Sequence, residues 1–305
     1  MAALKAIKTK IRSIDKTRQV TKAMEAVSAS KMRKAQVRAL SGRAYARASA
    51  GILARVSGTQ ELVNHPLLAV RPLTRALYIV ITSDKGLAGG LNSGVLRAVA
   101  ADVKASGLSP EGVSIIAVGR KAQDFFAIRG YSVEVFHPNT DDVSAGLVSN
   151  LVGQAAAHFQ NGSVDQVKIA YQNFISTFEQ RPTIRQVFPL SLIELQKVVA
   201  DIVPARGAYA QPAGDSVQPA AYSVEPSESE VLDAILPRLA GIFVYHALLE
   251  SQASEHSARM VAMKSASDKA GDLKRGLTLQ FNKARQAAIT REVSEITGGM
   301  EAMAV

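Results

Sequence analysis

The segment of this chain that comes closest to a site for chemistry is a glycine-rich loop, residues 84–92, with the sequence DKGLAGGLN. It follows a predicted buried strand at Ala76–Thr82, and nucleotide-binding α/β folds place their phosphate loop at that point. The glycines do not have the G-x-G-x-x-G spacing, and no Lys-Ser or Lys-Thr pair follows as in a Walker A loop. We interpret the loop as a tight strand-to-helix turn that needs glycine at positive φ. Nucleotide binding is therefore not expected.

Groups that could bind metal or transfer protons are dispersed along the chain. His246 and Glu250 could face each other across one helical turn, but no third metal ligand is evident. Asp141 and Asp142 are interpreted as a helix cap rather than a catalytic pair. There is no cysteine, which excludes thiolate sites. We predict no catalytic residue, cofactor or metal, and we expect surface or half-buried positions for the histidines, which are His65, His137, His158, His246 and His256.

Positive charge is concentrated at the N-terminus. The first 55 residues carry fourteen Lys or Arg and two acidic residues, whereas the remaining 250 carry 22 basic and 24 acidic residues. A solvated helix face normally mixes both signs, so this imbalance indicates an anionic partner. Tyr45 is the only aromatic residue before Tyr78, which disfavours stacking on nucleic-acid bases and aromatic anchoring in a membrane. An acidic protein partner is favoured.

The N-terminal segment is predicted to be one long helix. Its apolar residues recur at steps of three and four, as in a coiled coil. We expect a stutter to shift the stripe part-way along; its members are Leu4, Ile7, Ile11 and Ile14, then Val20, Met24 and Val27. If residues 3–55 are all helical, the helix is roughly 80 Å long.

A second long helix is predicted at the C-terminus. Ser227 and Glu230 have the spacing of a capping box, and Pro237 is expected to kink the first turns. Gly298 and Gly299 are expected to end the helix. A seam with many small residues favours close, antiparallel packing on the N-terminal helix; it consists of Met260, Met263, Ala266, Ala270, Leu273, Leu277, Phe281, Ala284 and Ala288.

Between these helices the sequence alternates between strand and helix patterns. Continuous apolar runs are typical of buried parallel strands, and the alternation predicts a Rossmann-like layered fold. The predicted strands are Ala76–Thr82, Val113–Val118, Tyr131–Phe136, Val164–Phe174 and Thr183–Leu195, the last two joined by a hairpin around Gln180–Pro182. The predicted helices are 90–106, 120–129 and 144–160.

The predicted fold class is α/β with long helices: an antiparallel coiled coil of the N- and C-terminal helices plus a Rossmann-like α/β domain. The coiled-coil segments are 1–58 and 227–305, the α/β domain is 70–195, and a variable loop spans 196–226. No stretch approaches about 18–20 apolar residues without charge, so no transmembrane segment is expected.

Several long motifs, in order along the whole chain, resemble those of one family. They are Val20–Val27 with Ser30–Ala35, Thr82–Asn92, Ser254–Met263 and Phe281–Ile296. Together they are similar to the signatures of the gamma subunit of F-type ATP synthases. The absence of cysteine excludes the redox-regulated chloroplast type. Because the match begins within the first few residues, no cleaved leader is expected, and a bacterial type is favoured.

The resemblance implies a non-catalytic rotor shaft that couples proton-driven rotation of the c-subunit ring to conformational cycling of the alpha–beta catalytic ring. It also implies contact with the epsilon subunit and a peripheral location on the cytoplasmic face of the bacterial inner membrane. By matching motifs, contacts with beta-subunit loops fall to Lys22, Met24, Arg285, Gln286 and Thr290. The region near the c ring and epsilon subunit corresponds to Tyr222 and Glu225.

Two other classes of function remain to be weighed. A nucleotide-binding α/β enzyme with helical dimerisation arms would need a phosphate loop that residues 84–92 do not provide. A basic coiled-coil adaptor for nucleic acid would need stacking aromatics that the N-terminal segment lacks, and it would have no use for an α/β domain. No nucleic-acid partner is expected.

The isolated chain should bind Mg-ATP no more tightly than a Kd of about 1 mM, equivalent to about −4 kcal/mol. The reason is that residues 84–92 contain turn glycines without phosphate-binding geometry. Calorimetric titration checks this. A micromolar site that disappears when Gly89 is changed would contradict the interpretation.

Overall fold

The computed structural model describes residues 2–41, 65–190 and 227–303. The chain divides into two compact units: Met1–Ala29 with Arg259–Val305, called here the coiled-coil unit, and Ser30–Ala258, called the α/β unit. Both long helices contribute to both units, α1 spanning Ala2–Ser41 and the last helix, α5, spanning Glu228–Met303. The predicted helical extension 42–58, the strand end 191–195 and the loop 196–226 lie outside the described residues.

The α/β unit is built on a five-stranded sheet with the order β3-β2-β1-β4-β5. Its strands are β1 Ala76–Ile81, β2 Val113–Val118, β3 Ser132–His137, β4 Gln166–Phe174 and β5 Gln180–Phe188. The first four are parallel, and β5 pairs antiparallel with β4 at the edge. All six residues of β1 are buried, as the apolar run predicts for a central parallel strand.

Helices cover both faces of this sheet. They are α2 Leu91–Ala105, α3 Arg120–Ala127 and α4 Ala145–Gln160, together with the first part of α5. Alternate β1 residues point to opposite faces: Tyr78 and Val80 pack with α2 and α3, whereas Ile79 and Ile81 pack with α4 and α5. The Rossmann-like prediction is confirmed, and the core lies on both sides of β1.

The first part of α5 is strongly apolar because it completes this core. Leu236, Phe243 and Leu248 are at most 4% exposed and belong to the cluster under α4. By length and composition, the stretch Glu230–Thr297 meets a criterion for a membrane-crossing helix, and half of its most apolar window is buried within the protein. This finding differs from the prediction of no transmembrane segment. Packing in the α/β unit is sufficient to explain its composition.

The hairpin between β4 and β5 lies earlier in the chain than predicted. The turn occupies residues 175–179, and β5 begins at Gln180 rather than at Thr183. Ser176 fixes the turn, because its hydroxyl accepts hydrogen bonds from the amides of Phe178 (3.3 Å) and Glu179 (3.1 Å). Pro182 therefore lies within an edge strand, a position in a sheet that tolerates proline.

In the coiled-coil unit, α1 and α5 run antiparallel. Lys274 Nζ lies 2.7 Å from Asp15 Oδ1. Arg18, three residues after Asp15, lies beside Gly271, which is three residues before Lys274. The antiparallel pairing predicted from the two seams is thereby confirmed.

The predicted stutter in α1 is wrong. Val20 and Val27 are more than half exposed, whereas their neighbours Thr21 and Ser28 are buried. The buried face therefore keeps its steps of three and four beyond Ile14, but with small polar residues in place of valine.

Two expectations for α5 are also corrected. Leu273 is 60% exposed, because the seam passes through Lys274, which pairs with Asp15. The helix does not end at Gly298 but continues to Met303. At the start of α5, Ser227 caps the helix as predicted, its hydroxyl accepting from the Glu230 amide at 3.3 Å. The helix continues through Pro237.

The fold depends on one glycine that leaves no room for a side chain. Gly119, between β2 and α3, has φ +96°, and a Cβ there would lie 2.1 Å from the carbonyl oxygen of Thr82. We expect Gly119→Ala to lower the free energy of unfolding by about 3 kcal/mol or more. Thermal and urea unfolding of the purified chain measure this.

Gly153, inside α4, is the matched control, because a Cβ there meets nothing within 4 Å. Gly153→Ala should stabilise the chain by about 0.5–1 kcal/mol, since alanine is the better helix former. Equal effects of the two substitutions would refute the steric argument.

Candidate functional site

The glycine-rich loop is held by hydrogen bonds within the protein. The Asp84 carboxylate accepts from the amides of Arg120 (2.9 Å) and Asn139 (3.1 Å), which follow β2 and β3. Asn92 bonds to both the amide and the hydroxyl of Ser83. The predicted positive φ is confirmed at Gly89 and is also found at Leu87. The loop thus ties together the carboxyl ends of three neighbouring strands.

The crevice between β1 and β4 is crossed by the protein's own side chains. Strand order reverses between β1 and β4, the place where doubly wound folds bind their ligands. Here the Gln172 side chain donates to the Leu91 carbonyl at 2.8 Å, and the Ser254 hydroxyl of α5 donates to the Gln172 carbonyl at 3.1 Å. Ser254 is fully buried. Helix α5 therefore lies where a nucleotide would have to bind.

A cluster of charged groups connects the loop after β3 to both long helices. Asp141 is the centre: its two carboxylate oxygens lie 2.5 Å from Lys31 Nζ on α1 and 3.3 Å from His256 Nε2 on α5. Arg38, about two turns further along the same face of α1, pairs with Asp142 at 3.2 Å and donates to the Asp141 carbonyl at 2.9 Å. One short loop thus holds both helices within the α/β unit.

Electrostatics favour the ionised form of Asp141. Partial burial alone would raise the pKa of its carboxyl group, but the hydrogen bond and charge of Lys31, together with His256, outweigh burial and lower this pKa. The negative charge of Asp141 therefore contributes to this charged cluster at ordinary pH.

This cluster corrects two sequence-based interpretations. Asp141 and Asp142 do not cap a helix; the cap of α4 is Ser144, whose hydroxyl accepts from the Leu147 amide at 3.1 Å. Among the histidines, His256 is 6% exposed and His65 is 7% exposed, so both are buried rather than on the surface. The signal that sequence reasoning missed is the pairing of residues more than 100 positions apart.

His246 and Glu250 do face each other across a turn of α5, with Nε2 and Oε1 3.5 Å apart. Within residues 2–41, 65–190 and 227–303, no three His, Cys, Asp or Glu side chains are grouped as a metal site.

The predicted contact residues in the coiled-coil unit lie at two different levels. Lys22 and Arg285 are exposed and Met24 is half-buried. Continuing the Asp15–Lys274 register places Met24 level with about residue 265, so Arg285 lies roughly twenty residues, or about 30 Å, further along α5. The structure therefore does not bring Met24 and Lys22 together with Arg285. Tyr222 and Glu225 lie outside the described residues.

Gln286 and Thr290 are exposed beside Arg285, and the Thr290 hydroxyl donates to the Gln286 carbonyl at 3.0 Å. These three form one exposed group on a single helix. Their expected role as partner contacts is consistent with this position and stays a prediction.

Comparisons with known proteins decide the family. A family model described as ATP synthase matches residues 3–303. The ATP synthase gamma chain of Heliobacterium modesticaldum is 41% identical over 306 residues, covering 99% of this chain and 100% of the relative. The chain belongs to the ATP synthase gamma chain family. The resemblance seen in the sequence motifs is confirmed.

Solved structures support the fold of a gamma chain. One match is to the Tetrahymena thermophila mitochondrial ATP synthase central stalk and c ring, at TM-score 0.60 and 24% identity, covering 81% of this chain and 99% of the other. Another is to the Euglena gracilis mitochondrial ATP synthase, at TM-score 0.65 and 20% identity, covering 99% and 95%. As an ATP synthase gamma chain, the protein is a rotor shaft and is itself non-catalytic.

The charged cluster should contribute to stability in a pH-dependent way. At neutral pH, Asp141→Asn should lower the free energy of unfolding by about 0.5–1 kcal/mol, a small value because this carboxylate is more than half exposed and water screens its ion pairs. Its folded-state pKa lies below the unfolded value, so the stabilisation is present above about pH 4 and is lost as pH falls through the folded pKa. Urea unfolding across that range should show the variant and wild type converging at low pH.

Asp124→Asn is the control, because Asp124 is exposed on α3 and its carboxylate has no ion-pair partner within the described residues. If both variants lost the same stability with the same pH dependence, the Lys31–Asp141 contact would be energetically silent.

Proposed function

We propose that this gamma chain transmits rotation from a proton-driven c ring to the alpha–beta catalytic ring, at the cytoplasmic face of a bacterial inner membrane. The observation that carries this proposal is that α5 is one helix of 76 residues shared by both units. It is fixed to the α/β unit by Ser254 and His256 and is paired to α1 through Lys274. A helix anchored in this way can pass torque between the units.

The alpha–beta ring is the proposed partner of the coiled-coil unit. Basic side chains on α1, including Lys8, Arg12 and Lys16, are exposed and suit acidic loops lining such a ring. Exposed apolar side chains on α5, including Leu279 and Ile296, suit an apolar inner wall. The combination explains why a coiled coil would leave large apolar groups in solvent when the chain is isolated.

Within this interface, we assign the beta-subunit contacts to two levels of the shaft. Arg285, Gln286 and Thr290 form one level, and Lys22 with Met24 forms the other. Such a separation allows different beta-subunit loops to be engaged at once. The α/β unit is assigned to the epsilon subunit and the c ring, with Tyr222 and Glu225 as expected contacts.

The enzyme alternative is disfavoured by a specific observation. In a nucleotide-binding fold the crevice between β1 and β4 must be open, but here Gln172 and Ser254 fill it. The nucleic-acid alternative gains nothing from the structure, because the described basic helix α1 presents no aromatic side chain for stacking.

Contact residues and seam residues on α5 should respond differently to truncation. The triple variant Arg285→Ala, Gln286→Ala, Thr290→Ala should impair proton-driven ATP synthesis in vesicles without lowering the Tm of the purified chain, because these side chains are exposed. Phe281→Ala should lower the Tm. The expected loss in the free energy of unfolding is near the lower end of about 2–5 kcal/mol, since this ring is only half-buried in the seam. Paired synthesis and unfolding measurements separate the two effects.

Lys283→Ala, exposed on the same turns, is the control and should leave both quantities unchanged. Normal synthesis in the triple variant would remove these residues from the proposed interface. A lowered Tm in that variant would mean that their contacts are internal.

A further inference from the structure

A groove runs between α2 and α3, on the face of the sheet opposite to α5. Its volume is about 450 Å³, and Leu96 of α2 and Phe125 of α3 form part of its wall. Ile128, at the end of α3, lines the same groove and is 83% exposed. Leaving an isoleucine in water forgoes the favourable free energy of burial. The groove therefore offers apolar surface that no described residue covers.

Three cations line this groove together with one carboxylate. The cations are Arg97 of α2, Lys121 at the start of α3 and Arg129 just after its end, and the carboxylate is that of Asp124. Within residues 2–41, 65–190 and 227–303, none of the three cations forms an ion pair. Three positive charges against one negative charge leave an excess of two. The groove is therefore complementary to an acidic partner.

The two arginines are held in place by their own helical segments. Arg97 Nε donates to the Ser93 carbonyl at 3.1 Å, and Arg129 Nη1 donates to the Phe125 carbonyl at 3.0 Å. The Arg129 guanidinium also lies over the Phe125 ring, 3.6 Å from its centroid. Each guanidinium has further N–H groups in a planar fork that matches a carboxylate. Because both side chains are already ordered, pairing with a carboxylate would cost little conformational entropy.

The order of charges along α3 restricts how an acidic partner can lie. Lys121 and Arg129 are separated by about two helical turns, or roughly 12 Å. Asp124 lies between them and would repel a carboxylate at its own level. Phe125 and Ile128 line the same stretch of the groove. A matching partner therefore has carboxylates about two turns apart and an apolar face between them, as an amphipathic helix provides.

Two other classes of ligand fit this groove less well. A nucleic-acid base needs an aromatic face for stacking, but the Phe125 ring has Arg129 over one face and packs edge-to-face with Phe126 at 5.1 Å. A lipid surface is bound by protruding apolar anchors surrounded by cations. Here part of the apolar wall is recessed between two helices, and Asp124 lies among the cations.

We propose that the α2–α3 groove is a docking site for an acidic amphipathic helix of a partner protein. The apolar face of that helix packs on Phe125 and Ile128, and its carboxylates pair with Lys121 and the two arginines. Torque transmission through α5 does not require this face of the sheet. The proposed function and this docking site can therefore fail independently.

The probe for this site is a fluorescein-labelled synthetic helix as long as α2, with leucine on one face and glutamates two turns apart beside it. Fluorescence anisotropy with the purified full chain at about 0.15 M salt should show saturable binding with a Kd of about 10 µM or tighter. A peptide of the same composition in scrambled order should bind about tenfold more weakly or worse. Absence of saturable binding, or equal binding of the scrambled peptide, would overturn the proposal.

Charge-reversal variants locate the binding site on the chain. Lys121→Glu and Arg129→Glu should each weaken binding of the probe by about tenfold or more, because like charges would then face each other. Lys121→Glu should not lower the Tm, since an acidic residue is favourable in the first turn of a helix. Ile128→Ser should weaken binding by about tenfold, because it removes an apolar contact.

Lys104→Glu is the matched control. Lys104 is exposed near the end of α2 but does not line the groove, so its reversal should leave the Kd nearly unchanged. Equal weakening by Lys104→Glu and Lys121→Glu would mean that net charge alone attracts the probe, and the proposed site would be wrong.

The class of partner is tested with phosphatidylglycerol vesicles and with single-stranded oligothymidylate. We expect that Lys121→Glu and Ile128→Ser leave any binding of these two ligands unchanged. If both variants abolished binding of the vesicles or of the oligonucleotide but not binding of the peptide, the groove would be a lipid or nucleic-acid site and the proposal would be overturned.

Discussion

The seating of α5 on the carboxyl edge of the sheet is the contact on which the rest of this structure depends. Small hydroxyl side chains make it possible: Ser254 and Ser257 are fully buried and donate to carbonyls of Gln172 and Thr177. Larger residues would hold the helix away from the strand ends. In the related nucleotide-binding architecture this edge is left open for a ligand. Here α5 occupies the same edge, which explains both the closed crevice and the anchored position of the helix.

The coiled-coil unit sacrifices some packing for a defined alignment. Thr21, Ser28 and Ser267 are buried, and the pair Asp15–Lys274 lies at the seam. Small polar side chains at such positions contribute less to stability than valine or leucine. The Asp15–Lys274 pair penalises a shifted register, because a shift would separate its two charges. A shaft that must hold its alignment under torque benefits from that penalty.

The sequence was most informative where one local signal sufficed. Strand β2 matches its predicted bounds, Val113–Val118, because a continuous apolar run specifies a buried parallel strand by itself. The predicted seam was wrong at Val20 and Leu273. Apolar residues were assigned to the seam there, but their polar neighbours lie in it, since the register depends on the partner helix. The Asp141 cluster was beyond local reasoning, because it joins three segments far apart in sequence. The motif around Ser254 was recognised, but its role in filling the crevice needed the sheet.

The structure also divides the N-terminal charge between two uses. In the α/β unit, Lys31 and Arg38 form ion pairs with Asp141 and Asp142, so these cations stabilise contacts within the chain. In the coiled-coil unit, the two acidic residues of α1 are both paired with lysines, one on α5 and one on α1 itself. The remaining basic side chains are exposed and are not offset by acids of the same helix; they are Lys5, Lys8, Lys10, Arg12, Lys16 and Arg18. Among the described residues, attraction to an acidic partner can therefore come from this first stretch of α1 and from the exposed Arg33 and Lys34. Changes at Lys31 would test the Asp141 cluster instead.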